Sequence, residues 1–195
     1  LKKEFKKERN DLYKHLVHAA NFMQGAKGAK DKIYSETGIE YPIKTVQKVM
    51  DVYYALFPTI PRWHKNVLDE AEKDGYLRNP FDYVLRLNKV YDYKKEFGEW
   101  TKKPGPDANK AIAFKPQSTA VAIISEAILR LYFDRFEEAG QYLRLQVHDE
   151  LLSEAPRDKW QEVDKVMEEE MSRPIPQLRL PASWQMGDML SILTE

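Results

Sequence analysis

The stretch "YLRLQVHDELLSEAP", residues 142–156, alternates apolar and polar residues around His148, Asp149 and Glu150. A period of two predicts two short half-buried strands with the triplet at the bend between them. In an unbroken strand, side chains 147 and 149 point one way and 148 and 150 the other. A tight bend breaks that parity and can bring two carboxylates together. Adjacent carboxylates raise each other's pKa unless a cation sits with them. A hard divalent ion such as Mg²⁺ suits oxygen ligands and leaves room for a substrate phosphate. The triplet therefore points to metal-assisted phosphoryl transfer, against the plain alternative of a solvent-facing turn.

A second constellation lies in "YKHLVHAANFMQG". Lys14, His18 and Phe22 fall at i, i+4 and i+8, one stripe along one helix face. A cation, a flat polar ring and an aromatic ring suit a triphosphate, a sugar and a base in turn. Lysine binds phosphate as a point charge, and an aromatic face stacks on a base. The plain alternative is a mixed surface helix. His15 and His18, at i and i+3, lack an acidic or cysteine partner at metal-ligand spacing.

A third lies in "AFKPQSTAVAIISEAI", where Gln117, Ser118 and Thr119 precede an apolar helical run. Ser or Thr at such a start is ordinarily a cap. A Gln there could instead reach the acceptors that every base pair offers in the minor groove.

The elements that must position these groups read as follows. Helices are expected over 4–24, 27–36, 43–56 and 60–74, the last closed by Gly75 as C-cap. Residues 76–93, with "NPFD" between them, read as a hairpin or two short strands. "TKKPGPDANK" reads as the clearest loop. A long helix over 108–138, interrupted near Pro116, is apolar on most faces, so it is expected to be the buried central one. The strand pair follows, then an amphipathic helix at 157–172, a strand near 177–183 and a short terminal segment. The order predicts an α+β fold with helix in excess and a small antiparallel sheet covered by helices on one face.

A chain of 195 residues with 43% hydrophobic residues can bury a real core, and its length fits about one domain. No apolar run reaches the roughly 18 residues of a membrane span, so no membrane partner is expected. The N-terminus "LKKEFKKERN" has no apolar segment of the signal-peptide kind. Cysteine is absent, which excludes disulfides and thiolate chemistry. These features suit a cytoplasmic protein, not a secreted one. The chain opens on Leu1 in a charged helical pattern, which reads as part of something longer. Net charge is zero, yet residues 1–30 hold eight Lys or Arg against three acids, and residues 149–170 hold nine acids against three bases. The basic front suggests an anionic partner.

Taken together and in this order, the motifs resemble the C-terminal part of the polymerase domain of family A DNA polymerases, the DNA polymerase I type, in a phage-like branch. "LQVHDELLSEAP" is similar to the family's motif C. The helix around Lys14 resembles motif B on the fingers O helix, and "PQSTA" resembles the start of the long palm helix. "LFPTIPRWHKNVLDEAEKDGYLRNPF" resembles the fingers segment between them. The resemblance implies mostly helical fingers and a return into the palm over 1–92, and a partial antiparallel palm sheet over 93–195. It implies nucleotidyl transfer from a dNTP to a primer 3′-hydroxyl, with two Mg²⁺ ions in the complete enzyme. Primer–template DNA and dNTP would be the partners.

Residue by residue, Asp149 matches the metal-holding aspartate, Glu150 the acid beside it, and His148 the histidine near the primer end. Lys14 matches the triphosphate-binding lysine. His18 stands where a Phe or Tyr packs on the incoming sugar, and Phe22 where a tyrosine ends the O helix. Gln117 matches the palm glutamine that reads the minor groove. Three further positions depart from the pattern. Asn10 replaces the motif B arginine, with Arg9 one residue out of register, and Met23 and Asp82 replace glycines. Motif A, with the other metal-binding aspartate, is expected to lie in an N-terminal part outside this chain. Its absence should leave the 142–155 sheet with an unpaired edge or exposed apolar surface. Two other readings stay open: a non-catalytic half of a split polymerase or nucleic-acid-binding subunit, and a fragment like the single-subunit RNA polymerases. Glu150 after His-Asp favours DNA over RNA.

Overall fold

The computed structural model describes residues 12–148 and 150–175. Asp149, residues 4–11 of the helix expected over 4–24, with Arg9 and Asn10, the strand near 177–183 and the terminal segment lie outside the described residues. The fold is α+β. Four helices, α1 (Lys14–Asn21), α2 (Ala26–Thr37), α3 (Ile43–Leu56) and α4 (Thr59–Asp74), lead into β1 (Tyr76–Arg78) and β2 (Val84–Arg86). Then come β3 (Tyr91–Glu96), β4 (Glu99–Pro104), the long α5 (Ala108–Phe133), β5 (Leu143–Val147), β6 (Glu150–Ser153) and α6 (Trp160–Met171). Each successive strand pair is an antiparallel two-stranded hairpin. The chain forms two compact units, one of residues up to 78 with 84–115, the other of 79–83 with residues from 116 onward.

In the first unit, small residues let helices approach closely. Leu16, Ala19 and Ala20 of α1 are buried with Ala26, Ala29 and Ile33 of α2 and Val46 and Met50 of α3. Each large side chain so buried contributes roughly 1.5–3 kcal/mol. A second cluster joins Val67, Leu68 and Ala71 of α4 to Leu77, Leu87, Val90 and the first turns of α5. Gly75 closes α4 in the left-handed conformation, φ 71°, as its position predicted.

The C-terminal end of α1 would leave backbone carbonyls without partners. The amides of Phe22, Met23 and Gln24 take up three of them, and two side chains supply further donors. The Tyr54 hydroxyl donates to the Ala20 carbonyl at 3.0 Å, and His64 Nε2 lies 2.8 Å from the Asn21 carbonyl. A carbonyl can only accept, so this His64 nitrogen carries the hydrogen. His64 is buried, and that burial, more than any other influence, lowers its pKa below 6.5. Tyr53 adds a bond from its hydroxyl to Asn21 Oδ1 at 2.9 Å.

The β3–β4 hairpin docks on α4 by polar contacts. Tyr91 donates to Asp69 at 2.9 Å, Tyr93 to Glu72, and Lys102 bridges both acids at 3.1 and 2.7 Å. Hydrogen bonds from Lys65, Tyr91 and Lys102 hold the Asp69 carboxyl well below the usual range. Burial and the Asp69 bond push Tyr91 up to about 12. This strand pair corrects the sequence expectation of a loop over 101–110. The alternation Trp100, Lys102, Pro104 meets Lys95, Tyr93 and Tyr91 in register, so cross-strand pairing outweighs the turn-forming composition.

In the second unit, β5 and β6 lay one face on α5 and α6. Leu151 and Leu143 pack with Ile124, Ile128, Leu131, Val163, Val166 and Met167. The opposite face carries Leu145, 55% exposed, and Val147, 46% exposed. Among the described residues β5 and β6 pair only with each other, in line with the expectation of an unpaired edge or exposed apolar surface. Two expectations for α5 need correction. It runs unbroken through Pro116, although proline removes one ladder hydrogen bond there. It is also not buried all round, because Val121, Leu129, Tyr132 and Phe133 are more than half exposed.

Glu170 of α6 is fully buried, and three arginines compensate it. Arg130 Nε reaches Oε2 at 3.1 Å, while Arg173 and Arg135 reach Oε1 at 2.7 and 3.4 Å. Arg130 also donates to the Glu170 carbonyl at 3.0 Å.

Three variants test these anchors. Glu170→Ala removes the buried carboxylate that ties three arginines to α6, so urea unfolding should show a loss of about 1.5–3 kcal/mol. Glu40→Ala, which removes the exposed Lys30–Glu40 pair, should leave the transition where it is. The lowered pKa of His64 means that the unfolded chain takes up a proton first as pH falls. Its stabilisation is complete above pH 6.5 and is lost below it, toward the lowered folded pKa. His64→Gln keeps a donor for the Asn21 carbonyl but does not titrate. Stability measured from pH 7.5 downward should fall less steeply in this variant than in the wild type.

Candidate functional site

α1 presents the predicted stripe. Lys14 and His18 are exposed on it, and Phe22, half-buried, continues the line one residue past the helix. The Phe22 N–H still bonds to the His18 carbonyl at 3.1 Å, so the helical path carries through. The His18 and Phe22 rings lie 4.6 Å apart between centroids, tilted by 41°. Lys14 has no ion-pair partner among the described residues, so its charge is available to an incoming anion. Burial, and then the nearby Lys32 charge, lower the His18 pKa and favour the neutral ring. His15 is committed elsewhere, its Nδ1 2.9 Å from Glu36 Oε2.

The hairpin of the opening triplet runs from β5 into β6. Val147 pairs with Glu150, and His148 takes the first loop position with φ 54°. Hairpin turns that match strand twist need a positive φ there. The Gln146 amide donates to the His148 carbonyl at 3.1 Å and steadies the turn. In this register Leu145, Val147, Glu150 and Leu152 share one face. Glu150 is thus exposed on the open face and has no ion-pair partner among the described residues. A free carboxylate fits a hard divalent ion. No cluster of three or more acids and histidines occurs among the described residues.

Gln117 is exposed on α5 directly after Pro116. Ser118 and Thr119 are not caps, because the helix neither starts nor pauses at them. Ser118 Oγ instead accepts from Asn79 Nδ2 at 2.9 Å. Buried Asn79 also accepts from the Phe81 and Tyr83 amides at 2.9 and 3.0 Å. One side chain therefore shapes the "NPFDY" loop and ties it to α5.

The two glycine departures have a conformational meaning. Met23 has φ 55° and Asp82 φ 66°, the left-handed region that glycine adopts most cheaply. At Met23 the Met23 and Gln24 amides bond to the Ala20 and Ala19 carbonyls at 3.1 and 2.8 Å, the Schellman ending usually given to glycine.

Sequence reasoning missed the residues that position the site: Tyr54, His64, Asn79 and Ser118. His64 could have been found, since it shares an apolar i, i+3, i+4, i+7 stripe with Val67, Leu68 and Ala71. Asn79 precedes a proline, which is a turn signal. Ser118 stands out locally only as a cap candidate, not as the partner of Asn79, and nothing local marks Tyr54.

Residues 4–190 match the family model described as DNA polymerase family A. The chain is 27% identical over 169 residues to the DNA polymerase of Mycobacterium phage D29, covering 84% of this chain and 24% of that protein. It is 31% identical over 149 residues to the thermostable DNA polymerase I of Thermus thermophilus, covering 75% of this chain and 16% of that protein. The chain therefore spans about a quarter or less of the length of these relatives. A solved structure of the POL domain of Pol1 from M. smegmatis, in complex with DNA primer-template and dNTP, shares its fold. The TM-score is 0.66 at 23% identity, covering 87% of this chain and 28% of that one. The order of motifs, the stripe on α1 and the hairpin of the triplet fall within this match, and the chain belongs to DNA polymerase family A.

Proposed function

We propose that this chain carries the fingers and part of the palm of a template-directed DNA polymerase, transferring nucleotides from dNTP to a primer 3′-hydroxyl by a two-metal mechanism. The family match over residues 4–190 carries this reading. Residues 1–92 are the fingers and the return into the palm, and 93–195 the C-terminal palm portion. The division is one of function and differs from the boundary between the compact units.

Phosphoryl transfer needs positioning and charge neutralisation more than covalent help. Lys14 neutralises the triphosphate. His18, favoured as the neutral ring, packs on the sugar without adding charge, and Phe22 offers its face to the base. Gln117 donates to minor-groove acceptors, and His148 sits by the primer end. Asp149 and Glu150 are the oxygen donors that would hold Mg²⁺, joined by an aspartate from an N-terminal part beyond these residues. When bound, the ions would lower the pKa of the 3′-hydroxyl and neutralise charge on the leaving pyrophosphate. The relatives are DNA polymerases, and the similar solved structure holds primer-template and dNTP, which supports DNA and dNTP as partners.

With only part of the metal site, the chain alone should give no sustained primer extension, and sustained synthesis would refute this account. A narrower test is dNTP binding. Lys14→Met removes a charge-assisted contact worth about 1.5–3 kcal/mol. Titration calorimetry with Mg²⁺ and dNTP should show binding about 10–100-fold weaker. Equal affinity in the variant would remove Lys14 from the triphosphate site.

A further inference from the structure

The β3–β4 hairpin ends in a two-residue loop, Phe97 and Gly98, closed by the pair Glu96 and Glu99. Both loop residues have positive φ, 51° and 90°, which is the type I′ turn whose usual sequence is Asn-Gly. Glycine meets that requirement at 98. Phenylalanine at 97 does not, and a left-handed residue with a side chain costs about 1 kcal/mol. Packing returns nothing, because Phe97 is completely exposed. Trp100, three residues on, is 71% exposed and lies directly across from Lys95.

The charges around the rings divide into two groups. Lys102 is committed to Asp69 and Glu72 at the base of the hairpin, and Lys103 holds Glu96 at 2.6 Å. Lys94 and Lys95 have no ion-pair partner among the described residues, and Glu99 is the one acid of the tip left unpaired there. The base is therefore fixed to α4, while the tip offers two bare rings and two available cations. Isolated rings among lysines make a poor protein-docking patch, since they form no contiguous apolar area. They suit a flexible polyanion with flat groups, whose bases stack on aromatic faces and whose phosphates meet lysines.

Building on the polymerase reading, we infer that the β3–β4 hairpin tip, through Phe97, Trp100, Lys94 and Lys95, is a contact for single-stranded DNA. Unpaired template strand is the form of it that a polymerase meets.

The test uses oligothymidylate, blunt duplex and a primer–template with the chain and three variants. Phe97→Asn restores the preferred turn sequence, Trp100→Thr keeps a strand-favouring residue, and the third is the double variant Lys94→Gln/Lys95→Gln. Oligothymidylate should quench tryptophan emission in the wild type, and Trp100→Thr should remove the quench. Each ring change should weaken single-strand binding by about 5–100-fold and leave blunt-duplex binding unchanged. The lysine pair should flatten the dependence of log affinity on log salt by about 1.4. The inference is overturned if the wild type does not bind oligothymidylate, if the ring variants bind it equally, or if they alter only self-association in sedimentation. Failure of the wild type to bind primer–template would instead count against the polymerase reading, so the two outcomes are distinguishable.

Discussion

The first unit depends on how the end of α1 is closed. A helix of eight residues is marginal by itself, and its last carbonyls must find partners once buried. Tyr54 from α3 and His64 from α4 provide them, so three helices meet at one polar point inside an apolar cluster. A donor fixed at a carbonyl sets both the axial position and the rotation of the helix. Rotation decides where Lys14, His18 and Phe22 point. The stripe is consequently determined less by its own residues than by two side chains roughly 30 and 40 positions further on.

The second unit solves a related problem with charge. Its apolar cluster is built from α5, α6 and one face of a short hairpin, which leaves the other face bare. Glu170 and its arginines fasten α6 to the C-terminal end of α5 and the turn after it. The register of β5 and β6 shifts between Leu143 and Leu145, leaving Arg144 without a residue opposite it in the ladder. Such an irregularity reverses which residues face the core. It allows Leu143 to pack inward while Leu145 and Val147 lie with Glu150 on the open side. The candidate carboxylate stands on an apolar surface because of that one-residue shift.

Much of this was legible in the sequence. The bounds of α2, α3 and α4 follow from apolar spacing and from glycines that end two of them. The β5–β6 pair follows from strict alternation. The stripe on α1 needs only the 3.6-residue period. What could not be read depended on distant partners. β4 hides behind proline and glycine, and is revealed only by a neighbour that matches its alternation. α5 survives Pro116, and its apolar residues were too evenly spread to show which side would be buried. Tyr54, Asn79 and His64 act through hydrogen bonds to groups 34, 39 and 43 residues away, and local pattern carries no trace of such pairings.

Four non-glycine residues among those described adopt positive φ: Met23, Asp82, Phe97 and His148. Each carries a backbone cost that glycine would avoid. Met23 ends the helix bearing Lys14, and His148 opens the turn of the carboxylate hairpin. Asp82 lies in the loop that Asn79 ties to α5 beside Gln117, and Phe97 caps the hairpin with the bare rings. Strain of this kind persists only where the surroundings over-determine it. At Met23 the surroundings are the paired amides of the helix ending and the side chain's packing on the second cluster. At His148 they are the register on both sides and the Gln146 bond. At Phe97 only the turn constrains the backbone, and the fully exposed side chain makes no packing contact that offsets the cost.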